Sequence, residues 1–171
     1  MGNKQLDWQN LSSVFEAKEL REEDIPAILC LCQKNELYYT YCPPMPSRES
    51  ISADLQTLPA GAVPSQKHDI GYYKDNQLTA ILDLITCWPD EETAFIGLFM
   101  VDVCQQKKGT GSMIILDLQK ALKLTGCQKI RLGWMQGNPQ AEHFWKKNGF
   151  VSCGTRTSGS GRQIIIAEKK I

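Results

Sequence analysis

A short basic loop with two glycines is the stretch whose residue types best fit a chemical role. It lies within residues 101–112, which read VDVCQQKKGTGS, between an apolar run at 95–103 and an apolar helical pattern at 113–124. Backbone N–H groups in the first turn of a helix have no partner within the helix, and the helix dipole favours negative charge there. With Lys107 and Lys108 beside it, the loop is predicted to bind a phosphate; a strand-to-helix turn with solvated lysines is the alternative.

The spacing of the glycines excludes two well-known phosphate loops. The P-loop requires a lysine directly after its last glycine, and no lysine follows Gly109 or Gly111. The dinucleotide fingerprint G-x-G-x-x-G requires a third glycine where this chain has Ile114. The pattern that fits is Q-x-x-G-x-G, and its residues are Gln106, Lys107, Lys108, Gly109, Thr110 and Gly111, with Ser112 directly after them.

Asp83 and Asp102 are the candidate general bases, since they interrupt the apolar strand patterns LDLI and VDV. Such a carboxylate lies either in water at a strand end or in a cleft, where burial raises its pKa towards the range of a base. Three tyrosines close together, Tyr38, Tyr39 and Tyr41, precede two prolines. We expect this segment to be irregular, and either to pack onto the core or to form one wall of a substrate cleft.

The overall composition limits the possible classes of protein. The 171 residues are 42% hydrophobic, which is enough for a sizeable core in one domain. Lys and Arg total 19 and so do Asp and Glu, so the chain lacks the overall positive charge that attracts nucleic acid. No apolar stretch reaches the roughly 18 residues of a membrane span. Residues 1–10 read as a polar arm, and 11–171 as a single domain.

The seven cysteines are predicted to be free, buried thiols of a protein in the reducing cytoplasm. Their number is odd, the sequence contains no C-x-x-C, and His68 and His143 are distant in sequence from any cysteine pair. We therefore expect no bound metal.

Apolar periodicity and turn residues predict the elements that position these residues. Strands are expected at 14–20, 70–74, 78–86, 93–103, 129–135, 150–157 and 163–169, and helices at about 23–34, 48–58, 110–125 and 139–148. The strand at 129–135 returns after a helix, so it is expected to lie parallel to the strand at 93–103.

A second motif lies in the last predicted helix. It resembles N-x-x-A-x-x-F-Y-x-K-x-G-F through Asn138, Ala141, Phe144, Trp145, Lys147, Gly149 and Phe150. Together with the loop at 106–111 and the order of the elements, it makes residues 12–168 resemble the GNAT superfamily of acyl-CoA-dependent N-acyltransferases. The resemblance implies a mixed α/β fold. Its central sheet has about seven strands, which are mostly antiparallel. Strands four and five form a parallel pair that splays apart, and about four helices cover the two faces of the sheet.

The resemblance also implies that acetyl-CoA is the cosubstrate. Its pantetheine arm would lie in the gap between strands four and five, and its pyrophosphate against the loop at 106–112. The implied acetyl-CoA-binding residues outside the loop are Phe99, Met100, Val101, Asn138, Trp145 and Lys147, and the candidate acceptor-binding residues are Tyr38, Tyr39 and Tyr41.

The chain departs from the family pattern at Trp145. The family often has a tyrosine there, which protonates the departing thiolate. An indole N–H donates a hydrogen bond but does not titrate. Trp145 is therefore expected either to pack in the core or to line the thioester site, in neither case as an acid.

We therefore predict an N-acetyltransferase that moves an acetyl group from acetyl-CoA to a primary amine of a small molecule or peptide. It is expected to act as a monomer or homodimer, without a nucleic acid or membrane partner. A catalytically silent acyl-CoA-binding sensor or regulatory module is the alternative, which the missing tyrosine keeps open. An interaction module with a decayed CoA site is a further alternative. The acceptor is not predicted, because variable loops, here 36–48 and 59–69, would form its pocket.

Overall fold

A computed structural model describes residues 5–171, which build one seven-stranded sheet with helices on both faces. The strand order is β1-β2-β3-β4-β5-β7-β6. The strands are β1 (Glu16–Glu19), β2 (Lys67–Lys74), β3 (Gln77–Ile85), β4 (Thr93–Val101), β5 (Lys129–Met135), β6 (Val151–Thr157) and β7 (Gln163–Lys170). The helices are α1 (Ile25–Lys34), α2 (Glu36–Tyr41), α3 (Arg48–Gln56), α4 (Thr110–Thr125) and α5 (Pro139–Lys147). This arrangement confirms the predicted fold, with one more helix than expected.

The parallel strands β4 and β5 separate along their length. Their pairing runs from Thr93 opposite Lys129 to Ile96 opposite Leu132. Beyond that point β4 stays paired with β3 as far as Val101, while β5 stays paired with β7 along its whole length. The two strands therefore open into a gap, which is the predicted splay.

A β-bulge in β4 lies where the gap begins. The pairing with β3 shifts between Asp83 and Leu84, which makes Gly97 the extra residue. The bulge reverses the alternation of side chains, so that Ile96 and Phe99, three positions apart, both contact the same core cluster.

The core is divided by the sheet into two layers. The larger layer lies under α4 and α5, and the smaller lies under α1 and α3. Helix α4 contributes Ile114, Leu118 and Leu122 to the larger layer, at the spacing of one helical face. Helix α1 contributes Ile28 and Leu31 to the smaller layer.

Local capping signals account for the confirmed helix ends. The Ser47 hydroxyl accepts from the N–H of Ser50 at 3.1 Å, and Asn138 Oδ1 accepts from the N–H of Ala141 at 3.1 Å. Gly126 ends α4 with a φ of 96°, a left-handed conformation that favours glycine.

Three local predictions are wrong. Residues 36–41 form helix α2 rather than an irregular segment. The strand expected at 93–103 ends at Val101, because Asp102 accepts from the N–H of Cys104 and begins a 3₁₀ turn. The loop expected at 59–69 contains the 3₁₀ turn Pro64–Gln66 and the first three residues of β2.

Part of the predicted polar arm, residues 1–4, lies outside the described residues. Within the remainder, Leu6 is buried and Trp8 packs against the larger core layer, which attaches residues 5–10 to the domain. Over residues 5–171, no helix has both the length and the apolar character that a bilayer crossing requires.

Candidate active site

A cleft of about 630 Å³ occupies the gap between β4 and β5. Its floor is the bulged part of β4, its opposite wall is β5, and the start of α4 and one face of α5 close its sides. Asn35, Tyr38 and Cys42 approach it from the other side of the sheet. This volume lies within the usual range for a small-molecule site.

The glycine loop lies at the mouth of the cleft. Gly109 is the N-cap of α4, with a φ of 82° and no side-chain cap, and no heavy atom lies within 4 Å of where its Cβ would be. A Cβ on Gly111 would lie 2.9 Å from the Phe144 ring, so this glycine lets α4 pack closely against α5. The first-turn N–H groups of α4 and the side chain of Lys107 therefore meet an open, electropositive space.

Most residues predicted to bind acetyl-CoA lie together in the cleft. Lys108, which is exposed, and Thr110, which is buried, are not among its lining residues. The predicted residues that line the cleft are Phe99, Met100, Val101, Gln106, Lys107, Gly109, Gly111, Ser112, Asn138, Trp145 and Lys147.

The backbone of β4 presents polar groups to the cleft. The N–H of Asp102 donates to the Thr79 carbonyl at 2.8 Å, so this residue points its backbone groups at β3. Because backbone direction alternates along a strand, Phe99 and Val101 point theirs at the gap. The Val101 carbonyl already accepts from Asn35 and Gln106, so an extended amide-containing chain can pair with the groups of Phe99 and with the N–H of Val101, as an added strand does.

Trp145 packs in the core and also lines the cleft. It is 7% exposed, and its ring centroid lies 6.0 Å from that of Phe99, 4.9 Å from Phe144 and 5.1 Å from Phe150. The two roles expected for this residue thus coincide in one position.

Asp83 lies beside the cleft at the bulge. Its Oδ1 is 2.8 Å from Lys67 Nζ, which is also 3.0 Å from Asp69 Oδ1. Its other oxygen, Oδ2, lies over Gly97, where a Cβ would be only 2.4 Å away. Since Gly97 lines the cleft, the Asp83 carboxylate adjoins the point where β4 leaves β5.

The cluster around Lys67 is short of positive charge. Burial raises the pKa of Asp69 to about 6 against the lowering effect of Lys67. Burial also raises the pKa of the Asp54 carboxyl, and the charge of Asp83 adds to this. Burial lowers the pKa of Lys67, but its bond to Asp83 and the charges of both partners outweigh this and raise it overall. Lys67 thus pairs directly with Asp69 and Asp83, and the charges of Lys67 and Asp83 also act on the carboxyl of Asp54.

Asp102 lies outside the cleft. Its Oδ1 accepts from the N–H of Cys104 at 2.8 Å, and its Oδ2 lies 3.3 Å from Lys34 Nζ. Burial raises the pKa of this carboxyl, but the hydrogen bonds from Cys104 and Lys34 outweigh burial and hold the pKa below its ordinary value. These contacts make Asp102 a capping residue and a poorly placed base.

The three predicted tyrosines have separate positions. Tyr38 lines the cleft, and burial raises the pKa of its hydroxyl. Tyr39 stacks edge-on against Tyr38 at 5.0 Å, within the smaller core layer. The side chain of Tyr41 does not line the cleft, but its carbonyl accepts from Arg162 Nη1 at 2.7 Å and joins α2 to the β6–β7 turn.

Residues 5–171 include all seven cysteines and contain no disulfide, but the predicted burial of the cysteines is only partly right. Cys32 is buried, whereas Cys30, Cys104 and Cys153 are exposed. Among residues 5–171, no group of three or more His, Cys, Asp or Glu side chains is arranged to hold a metal ion.

Asn35, Cys42, Gln140 and His143 are among the cleft residues that sequence reasoning missed. Gln140, His143 and Lys147 follow one another at intervals of three and four, so all three share one face of α5. This spacing is visible in the sequence and could have identified them. Asn35 and Cys42 lie at opposite ends of the helix that was not predicted.

Comparison with known families gave one match, between residues 34–150 and the acetyltransferase (GNAT) family. A sequence comparison with curated proteins gave no match.

Solved structures of acetyltransferases share the fold. An acetyltransferase from Thermus thermophilus is 19% identical, with a TM-score of 0.75 over 92% of this chain and 97% of that one. The PaiA N-acetyltransferase of Thermoplasma acidophilum, solved with coenzyme A, is 18% identical, with a TM-score of 0.66 over 92% and 99%. The Escherichia coli ribosomal-protein-S18-alanine N-acetyltransferase is 16% identical, with a TM-score of 0.68 over 92% and 94%.

Proposed function

Because this chain belongs to the GNAT family of acetyltransferases, we propose that it transfers the acetyl group of acetyl-CoA to a primary amine. The observation that carries the proposal is the cleft between the separated strands β4 and β5, with a glycine loop and a helix N-terminus at its mouth. This is the shape and charge that a pyrophosphate attached to a long, amide-containing arm requires.

The described residues fit acetyl-CoA. The open space at Gly109 leaves room for a phosphate directly against the backbone, and Lys107 supplies positive charge. The backbone groups of Phe99 and the N–H of Val101 would pair with the amides of the arm, and Asn138, Trp145 and Lys147 would line its other side.

We further propose that Asp83 accepts the proton of the attacking amine. An amine is mostly protonated at neutral pH and attacks a thioester only as the free base. Asp83 Oδ1 is held by Lys67, which leaves Oδ2 beside Gly97 at the cleft. A positioned base of this kind contributes about 10²–10⁴ in rate.

The departing group needs no side-chain acid in this scheme. A thiol of ordinary pKa, about 8.5, leaves readily as a thiolate. Trp145 then keeps the site dry and packed rather than donating a proton.

The acceptor would enter from the α1–α3 face of the sheet. Tyr38 and Cys42 line that end of the cleft, and Asp83 projects from the same face. We propose that the acceptor is a small-molecule or peptide amine. We also propose that residues 11–171 form the active domain, that the protein is cytoplasmic, and that it acts as a monomer or homodimer.

A screen of amines with acetyl-CoA, following thiol release, tests this function. The panel comprises polyamines, amino acids, aminoglycosides and peptide N-termini, and Asp83→Asn is assayed beside the parent. We expect at least one amine to release CoA in the parent and about 10²-fold less in Asp83→Asn. Binding of acetyl-CoA without release for any amine would instead favour the silent sensor that the missing tyrosine keeps open.

A further inference from the structure

Asn35 links parts of the chain that are far apart in sequence. It is 7% exposed and lies at the junction of α1 and α2. Its Nδ2 donates to the Leu31 carbonyl at 3.0 Å and to the Val101 carbonyl at 3.3 Å. Its Oδ1 accepts from Gln106 Nε2 at 2.7 Å, across 71 positions of sequence.

All four side-chain N–H donors of Asn35 and Gln106 are used. Gln106 Nε2 donates its second hydrogen to Val101 at 2.9 Å, so that carbonyl accepts two amides. Gln106 Oε1 accepts from Gln140 Nε2 at 3.2 Å. Because Leu31 and Val101 present carbonyls, which only accept, the two N–H₂ ends must face them, and the orientation of both amides is determined. A network in which both amides have every donor paired is rigid.

This arrangement changes the role expected for Gln106. Both of its side-chain donors are occupied by protein acceptors, so they are not free for a phosphate. The side chain instead holds the first residue of the glycine loop against the end of β4 and against α5.

We propose that Asn35 is a positioning residue for the donor-binding loop and acts through Gln106. This inference rests on the proposed binding of acetyl-CoA at residues 106–112. Without Asn35, Gln106 loses its buried anchor, and the loop no longer presents its N–H groups in one arrangement. The carbonyl of Asn35 accepts from the N–H of Tyr38 at 3.0 Å, so the same residue also holds the helix that lines the acceptor end of the cleft.

The test is the affinity for CoA, measured by calorimetry with the parent and Asn35→Ala. We expect the dissociation constant to rise roughly three- to tenfold, the range for losing one hydrogen bond of ordinary strength. In acetyl transfer, the KM for acetyl-CoA should rise by a similar factor, and kcat should change less.

Asn148→Ala is the matched control. Asn148 Nδ2 donates to the Phe144 carbonyl at 2.8 Å, which is the same bond to the fourth preceding residue at a helix end that Asn35 makes to Leu31. Asn148 does not line the cleft. We expect this variant to lose thermal stability as Asn35→Ala does, but to bind CoA as the parent does.

A double-mutant cycle with Gln106→Ala separates positioning from general loosening of the fold. If Asn35 acts through Gln106, the double variant should bind CoA no more weakly than Gln106→Ala alone. Losses that multiply in the double variant would overturn the proposal, and so would unchanged affinity in Asn35→Ala. A parent that does not bind CoA would overturn the proposed donor site as well, which distinguishes the two failures.

Discussion

Replacing Gly97 by alanine is expected to disable the proposed base while leaving the fold intact. The new Cβ would lie 2.4 Å from Asp83 Oδ2 and 3.1 Å from Cγ, whereas real Cβ contacts essentially never fall below 3.0 Å. The carboxylate must therefore move by at least about 0.6 Å, away from the cleft and against its bond to Lys67. A displacement near 1 Å at a reacting group costs up to about 10²-fold. We expect kcat to fall about ten- to a hundredfold.

The assay is thiol release at saturating acetyl-CoA, with the melting temperature recorded for each variant. Gly154→Ala is the control, since Gly154 is also a strand glycine and a Cβ there would meet nothing within 4 Å. The decisive comparison is Gly97→Ala in an Asp83→Ala background, where the carboxylate is gone. The added methyl should have little further effect there. An equal fall in kcat in both backgrounds would show that the methyl obstructs acetyl-CoA, and would refute the role given to Asp83.

Three further predictions follow from the same contacts. Trp145→Phe loses ring area but no acid, so turnover should stay within about tenfold of the parent and the free energy of unfolding should fall by about 1–2 kcal/mol. Loss of turnover in a folded variant would make the indole N–H a required donor. Burial raises the pKa of the Asp69 carboxyl from its ordinary value of 3.8 to about 6. The stabilisation that comes from this raised pKa is therefore complete below pH 3.8 and is lost as the pH rises through about 6. In the parent, the free energy of unfolding from urea curves should fall by on the order of 1–3 kcal/mol over this pH range, and Asp69→Asn should remove that fall. The same pH dependence in the parent and in Asp69→Asn would contradict this prediction. Alkylation of the native protein should modify Cys30, Cys104 and Cys153 first and Cys32 only on unfolding, and the intact mass should show no disulfide. Early labelling of Cys32 would argue against the described packing.

The elements that could be predicted are those whose ends carry local signals. Helix α4 begins after a glycine loop and ends at Gly126, and α5 begins at a capping Asn138. Each signal acts within a few residues, so it can be recognised without knowledge of the fold. The glycine loop was predictable for the same reason.

The parts that could not be predicted depend on contacts between distant segments. Helix α2 has six residues, too few for a periodic pattern, and is held by Asn35 and by the packing of Tyr38 and Tyr39. Asp83 differs from Asp102 because the bulge in β4 places Gly97 against the Asp83 carboxylate, whereas Asp102 lies past the end of β4 and caps a 3₁₀ turn. Both carboxylates interrupt an apolar strand in the same way, and only the register shows which of them adjoins the cleft.

The most direct test of the central claim, that residues 106–112 bind the pyrophosphate of acetyl-CoA, is a CoA titration of Gly109→Asp against Gly61→Asp. Both glycines have a left-handed φ, 82° and 86°, and both have open space where the side chain would be, so the two substitutions impose the same backbone strain. Only Gly109 lines the cleft. Gly61→Asp should keep the parent affinity and the parent stabilisation, about 2.7 kcal/mol at a hundredfold excess of ligand over its dissociation constant. Gly109→Asp, with a carboxylate against the phosphates, should bind at least about tenfold more weakly. Equal affinity for CoA in the two variants would contradict the claim.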